Sequence, residues 1–543
     1  MTKSLGAGLI LLCLFKIIGG MALPVTTDEG YYFLWARHPD LGYFDHPPLV
    51  AWLAAPVNWL AGSWLAGRSG SLLLAVLLIP LSLSLTRRAG LRGVANITAA
   101  MLLFHFNLAG LVFGFLATPD IPLIFFWTLA LHEALVALQG RPRRWLSAGL
   151  ATGLGIWGKY TMLLMGPVFL LALLSRSGRA QLRTPWPWAG GLVCLLVISP
   201  HLFWNQQNHW PSFSFQLRHG FQDSHETSVP MASTLPPPLK YQPDSAASRL
   251  GDYFKGLKKR EKKKKKPKKD PLTKAVQGFS DFAGGQLAVF GFMIFPLGYT
   301  LYRRRQRRDE APEALPAAPR ALLMASAGVP LVVFGLISLG QKVEANWASA
   351  WIPGGAVLLA AALPWRRRGL TITAAANLLI LTLVIVHAGT PLRKKRPHKD
   401  RVLRETAGYA GLADHLRPLP RPVFADTYQL VSMLHFYEPD RPWQQWPGLT
   451  RFSEITRRPA LNPLTVDQLN AAGGFYLVSA NLPPPDFPGF TAVDLEGFRA
   501  CLQGQPELLR AWDGRRPQKD CRPVHEWYIA AYEPQSGIKG EKN

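Results

Sequence analysis

Apolar residues in this chain gather into blocks of about twenty, the length a helix needs to cross a hydrocarbon core about 30 Å thick. Short basic or polar gaps separate them. Scanned with a window of about 19 residues, the candidate spans begin near Ser4, Ser71, Val94, Ile121, Leu146, Leu163, Trp188, Gly285, Ala321, Trp347 and Leu370. The pattern therefore predicts a polytopic α-helical membrane protein of about 11 spans. Between the first two spans, Leu49-Val50-Ala51-Trp52-Leu53 and Val57-Asn58-Trp59-Leu60 carry Trp at intervals and are broken by Pro56 and Gly62. Such segments lie in the interface rather than cross it, forming a shelf. From Pro391 onward the pattern is that of a small soluble unit. Strand candidates there are Pro422–Ala425, Gly474–Val478 and Trp527–Tyr532, with helix-like stretches at Leu403–Leu416 and Tyr428–Phe436. The expected organisation is a membrane unit over 1–390 followed by an α/β unit over 391–543.

The formal charge of +26 does not point to nucleic acid, because the Lys and Arg cluster beside apolar blocks or in one lysine run. Thr86–Arg92, Arg141–Arg144, Arg176–Arg179, Arg303–Arg308 and Arg366–Arg368 fall at every second gap. That alternation places the amino terminus in the cytoplasm and the C-terminal unit outside. No small-residue cleavage site follows the first apolar block before Asp28-Glu29, so it is expected as a retained span rather than a cleaved signal peptide. One stretch runs against this scheme: ten of the twelve residues from Lys258 to Lys269 are basic in a loop assigned outside. Charge in loops longer than about 60 residues has little say in orientation. The polar, Pro-rich composition of 222–271 predicts disorder there. Of four cysteines, Cys13 and Cys194 lie in apolar blocks, and their spacing from the others gives no metal cluster. Cys501 and Cys521 would share an oxidising compartment, and whether they pair is left open by sequence.

The alternate gaps carry Asp28, Asp45, Asp120 and Glu344, so the conspicuous carboxylates are segregated onto the outer face. Acidic groups at the mouth of a membrane bundle are costly enough to mark function. Six further features lie in order along the chain: Asp28–Tyr32, Gly42–Leu49, Thr118-Pro119-Asp120, Gly155–Thr161, Trp204-Asn205-Gln206 with Trp210–Phe213, and Val343–Trp347. Their order and spacing resemble the bacterial branch of the GT-C membrane glycosyltransferases, which includes protein O-mannosyltransferase-like enzymes and lipid A aminoarabinose transferase. Asp426–Leu430 with Phe436-Tyr437 is similar to a segment in the outer domain of that group. The resemblance covers about residues 1–220 and 280–440. It implies an enzyme of the bacterial cytoplasmic membrane that moves a sugar from a polyprenyl-phosphate donor to a lipid or protein acceptor at the periplasmic face.

Roles follow from that resemblance. Asp28 matches the family's acidic position after the first span and is expected as the base that takes the acceptor proton, with Glu29 and Asp120 beside it as catalytic carboxylates. Asp45 and His46, held extended by Pro47-Pro48, are expected as a stiff wall that binds the sugar. Lys159, followed by Tyr160, is expected to meet the donor phosphate, with Arg68 as a second cation and Glu344 as a further substrate contact. A divalent cation on Asp28 and Asp120, or direct hydrogen bonds to the sugar, are both open. Two other classes remain: a transporter or flippase, which would place its charges near the midplane and show repeats, and a non-catalytic envelope assembly subunit, for which Asp28→Ala would leave activity in cells intact.

Overall fold

The computed structural model describes residues 3–58, 64–219, 234–257, 270–306, 314–363, 365, 367–392, 396–502, 505–510 and 521–535. Helices occur at or near each of the eleven expected starts, but only some have the length of a span. Six are long and apolar enough to cross a membrane: Leu5–Ala22, Gly67–Arg88, Asp120–Leu138, Trp186–Gln207, Ala317–Ser338 and Arg368–Gly389. Pro271–Ala288 and Gly291–Gln306 make a seventh if counted as one broken span, bent by 96°. Val94–His105, Tyr160–Leu174 and Ser349–Ala362 are shorter apolar helices. Against the eleven spans expected, six or seven helices among the described residues have the length and composition of a full span. Gly and Pro set the breaks: Gly158 closes the Arg144–Gly158 helix before extended Lys159, and Pro353 opens the Ile352–Ala362 helix.

The chain beyond Pro397 builds a six-stranded mixed sheet of order β2-β1-β3-β6-β4-β5. The strands are β1 (Val423–Ala425), β2 (Gln444–Gln445), β3 (Phe475–Ser479), β4 (Phe490–Cys501), β5 (Glu507–Arg510) and β6 (Pro523–Pro534). β1 runs parallel to β2 and β3, while β3, β4 and β5 join through antiparallel ladders with β6 and β4. Cys501 and Cys521 form a disulfide at the end of β4. Part of the stretch expected to be disordered is instead folded onto this sheet, where Leu235 and Ala247 share a core with Phe424, Trp446, Phe475 and Tyr532. Trp446 Nε1 also donates to the Pro236 carbonyl at 3.0 Å. The lysine run at 258–269 lies outside the described residues.

A second core joins the sheet unit to the segment between the first two spans: Tyr31, Phe33, Trp35 and Tyr43 are buried together with Tyr428, Met433, Trp443 and Trp527. The helices Thr27–Arg37 and Tyr428–Tyr437 touch so closely at Gly30 that a Cβ there would stand 2.9 Å from Met433 Sδ. Trp35 stacks on Tyr43 at 4.5 Å and 7°, which folds the Asp40–Pro48 turn back over the helix. The shelf segment is helical over Leu49–Ala54, with Val50, Ala51 and Ala54 in that same core. Trp59 and Leu60 lie outside the described residues.

Candidate active site

The helix Thr27–Arg37 starts with a capping box in which Thr26 accepts from the Glu29 N–H and the Glu29 side chain accepts from Thr26. This fixes the rotation of the first turn. Glu29 points inward and meets Arg68 at 2.6 Å and 2.5 Å through two parallel bonds, both side chains having no solvent exposure. Glu29 Oε1 also accepts the Ala117 N–H at 2.9 Å, and Arg68 donates to the carbonyls of Gly20, Leu23 and Pro24. Asp28, one residue earlier, faces the other way.

Asp28 reaches solvent, yet protein surrounds it on most sides. That burial, with the charges of Glu405, Asp45 and Glu29, raises its carboxyl to about 6, while Arg451 acts to lower it. Asp45 is buried; its carboxylate accepts from Tyr31 Oη at 2.7 Å and from Arg451 Nη1 at 2.5 Å. The Arg451 guanidinium lies over the Tyr428 ring at 4.0 Å, a stacking contact worth about 1 kcal/mol. Burial opposes the Arg451 charge, but Asp45 and the neighbouring tyrosines outweigh it and keep the guanidinium protonated.

On the other side, Asp120 opens the helix Asp120–Leu138 after Pro119. Lys159, held extended at the end of Arg144–Gly158, donates to Asp120 Oδ1 at 2.7 Å, and Asn346 donates to Oδ2 at 3.0 Å. Burial first, then the charge of Lys159, depresses the His46 imidazole to about 4, against the raising effect of Asp45 and Asp120. It is therefore a neutral ring near pH 7, and its Nδ1 is buried without a hydrogen-bond partner. Burial and then the charges of Asp28, Tyr428, Asp45 and Asp120 push the Tyr32 phenol well above its ordinary value. The charges of Asp28, Asp45 and Asp120 all act on this phenol, and those of Lys159, Asp45 and Asp120 act on His46, so the five share one electrostatic neighbourhood.

Four expected site residues are not brought there. Glu29, expected as catalytic, and Arg68, expected to bind substrate, are committed to each other and to backbone in the geometry of a structural clip. Glu344 is exposed and pairs with exposed Lys342; its neighbour Asn346 turns inward instead. Tyr160 donates to Ser212 Oγ at 2.8 Å, sits 2.7 Å from His201 Nε2 and packs on Phe213, so it braces the Pro211–His219 helix rather than facing Lys159's partners.

The donor set does not fit a divalent cation on Asp28 and Asp120. Both Asp120 oxygens are taken by nitrogen donors, as is one Asp45 oxygen. Among the described residues, the one group of three or more close metal-type ligands is Cys501, Glu507 and Cys521, whose cysteines are already bonded to each other. Sequence reasoning missed Arg451, Tyr31, Tyr32, Tyr428 and Asn346 as site residues. Tyr31, Tyr32, Tyr428 and Asn346 lay inside the recognised segments, whereas Arg451 stood in none of them.

Residues 45–204 match the family described as dolichyl-phosphate-mannose-protein mannosyltransferase. The chain is 28% identical over 217 residues to the lipid A galacturonosyltransferase RgtD of Rhizobium johnstonii, covering 36% of this chain and 44% of that protein. It is 27% identical over 213 residues to the lipopolysaccharide core galacturonosyltransferase RgtA of the same organism, covering 37% and 42%. The chain thus aligns with less than half the length of these relatives. Along its whole length it is similar to the crystal structure of ArnT from Cupriavidus metallidurans bound to undecaprenyl phosphate, at TM-score 0.58, 15% identity and 98% coverage of both chains. The fold is shared with that structure and carries six or seven helices long and apolar enough to cross a membrane among the described residues, and the resemblance drawn from the sequence motifs agrees with all three comparisons.

Proposed function

We propose that this protein is a membrane glycosyltransferase that moves a sugar from a polyprenyl-phosphate donor to a hydroxyl of a lipid A-type glycolipid or of a protein. The relatives named for lipid A and lipopolysaccharide galacturonosyl transfer support the glycolipid arm, and the matched mannosyltransferase family supports the protein arm. The observation that carries the reading is the Lys159–Asp120 pair at 2.7 Å, supported by the open carboxyl of Asp28, whose charge acts with that of Asp120 on Tyr32. In this reading the site opens at the periplasmic face of a bacterial cytoplasmic membrane, with the amino terminus inside and the sheet unit outside.

The chemistry then follows from the side chains. A carboxyl near 6 is ionised at neutral pH yet basic enough to accept a proton, the condition for efficient general-base work. Asp28 takes the acceptor hydroxyl proton as that oxygen attacks the anomeric carbon. The bond from that carbon to the phosphate oxygen breaks, and its electron pair leaves on the polyprenyl phosphate. Lys159 offsets the growing phosphate charge, and Asp120, braced by Asn346, aims the ammonium. No step is routed through a metal.

Purified protein given polyprenyl-phosphate sugars should release polyprenyl phosphate and glycosylate an acceptor, read by mass spectrometry. Asp28→Asn should remain folded and lose transfer by roughly 10²–10⁴-fold, the usual weight of a general base. Wild-type rates in that variant would remove Asp28 from the mechanism, and no release by the wild type from any donor would remove the transferase reading.

A further inference from the structure

The sheet unit sends several charged side chains into the segment between the first two spans, Arg451 among them. Arg451 sits between β2 and the short helix Glu454–Arg457, and its reach is fixed on several sides. Nη1 contacts Asp45 at 2.5 Å and the Phe452 carbonyl at 3.3 Å, and the plane of the group lies over Tyr428 at 4.0 Å and faces Phe215 at 5.3 Å. Asp45 is held as firmly: Tyr31 donates to its second oxygen, the Glu454 N–H donates to that same tyrosine hydroxyl at 2.7 Å, and Gln216 donates to its carbonyl. Asp45 is thus locked between two units of the chain, and the proposed transfer chemistry alone gives no reason for a buried ion pair to bridge them beside Asp28.

We propose that Arg451 is a positioning residue of the transfer site, supplied by the C-terminal unit, which fixes Asp45 in place and balances the negative charge gathered around Asp28. The inference rests on the glycosyltransferase reading of that site. The charges that act on Asp28 come from three places: Glu29 on its own helix, Asp45 on the following turn, and Glu405 with Arg451 from the C-terminal unit. Tyr32 and Tyr428 border them, and Thr27 on the same helix donates its hydroxyl to Glu405. The carboxylates all disfavour ionisation of Asp28, and Arg451 opposes them. Without that cation the base would be protonated over more of the neutral range. Docking of the sheet unit is therefore part of building the catalytic centre, not only of covering it.

The test replaces Arg451 by Met and by Gln, two neutral side chains of similar length, with Arg451→Lys as the variant that keeps charge without the planar fork. Losing a nearby opposite charge moves a carboxyl by about one pH unit or more, so the acid limb of kcat/KM should move to higher pH by that amount. The loss should be about tenfold at pH values below the midpoint and should shrink toward alkaline pH, and Arg451→Lys should return the limb toward wild type. A readout independent of turnover is the pH midpoint of carbodiimide modification of Asp28, followed by peptide mass spectrometry, which should shift the same way. A rate loss equal at all pH values with an unchanged Asp28 midpoint would overturn the proposal and leave Arg451 a structural contact. A shifted midpoint in a protein whose wild type transfers no sugar would support the Arg451–Asp28 pairing while sinking the transferase reading, so the two failures are distinct.

Discussion

Glu29 separates a structural from a catalytic account of the acidic cluster most sharply, because the two accounts predict opposite measurements. Both Glu29 and Arg68 are without solvent exposure, and together they tie the end of the first span, the Thr27–Arg37 helix and the Ala117 loop. Removing one partner of such a pair leaves a buried charge uncompensated, at about 3–5 kcal/mol. Arg68→Ala also strands the carbonyls of Gly20, Leu23 and Pro24, and Glu29→Ala loses the capping box, about 1 kcal/mol. Each single variant should therefore lose about 4 kcal/mol, roughly three powers of ten in the folding equilibrium. The double variant should lose less than the sum, since each single change already breaks the shared bond, with a coupling of about 2–3 kcal/mol. The assay is a denaturing-detergent titration of the four proteins of the cycle in mixed micelles, alongside turnover per folded molecule. A Glu29→Ala protein that unfolds within about 1 kcal/mol of wild type while its folded fraction turns over a hundredfold more slowly would refute the clip and restore Glu29 as a catalytic group.

Three further outcomes follow from the same geometry. Asp28→Asn should be at least as stable as wild type near pH 7: the folded carboxyl sits near 6 against an ordinary 3.8, so ionisation opposes folding above about pH 6, and the advantage of the variant should fade between pH 6 and 4 and vanish below. Thermal melting at three pH values reads this. Glu344→Ala removes half of an exposed pair and should change stability by less than about 0.5 kcal/mol and leave transfer unchanged, in contrast to Asn346→Ala, which frees one Asp120 oxygen and should slow it. Cys501→Ser should cost about 3 kcal/mol from the chain entropy of a loop with sequence separation 20, seen as a lower melting temperature of the wild type under reductant but not of the variant.

Periodicity made the helices legible, and it overestimated their length for a physical reason. Val94–His105 and Ser349–Ala362 are as apolar as full spans, but each stops after a few turns, where polar or small residues end it and its neighbours bury it within the bundle: Ala99, Met101, Leu103, Ile352 and Ala356 are all in the main core. Hydropathy records burial and cannot distinguish a protein interior from lipid. The strands show the converse. β3 and β6 carry continuous apolar runs and were found, while β4 alternates Asp494, Glu496 and Arg499 with apolar residues and so lacked a run.

The site divides along the same line. Carboxylates next to a span announce themselves because their cost in hydrocarbon makes them rare, and Asp28, Asp45 and Asp120 were all legible for that reason. Which of them is free to react was not, because that depends on partners distant in the chain. Asp45 and Glu29 look alike in sequence to Asp28, but Arg451 lies 406 positions from Asp45 and Arg68 lies 39 from Glu29, and each occupies its carboxylate. The sheet unit adds Arg458 on Asp40 and Glu454 on the Phe44 N–H, so the whole Asp40–Asp45 turn is held by residues that no local pattern connects to it. Of the acidic residues after the first span, the one left open to solvent and without a salt bridge among the described residues is Asp28, while the C-terminal unit takes up Asp40 and Asp45 and Arg68 takes up Glu29. An isolated membrane unit would therefore retain every carboxylate that its sequence advertises and still lack the partners that hold Asp40 and Asp45 beside an open Asp28.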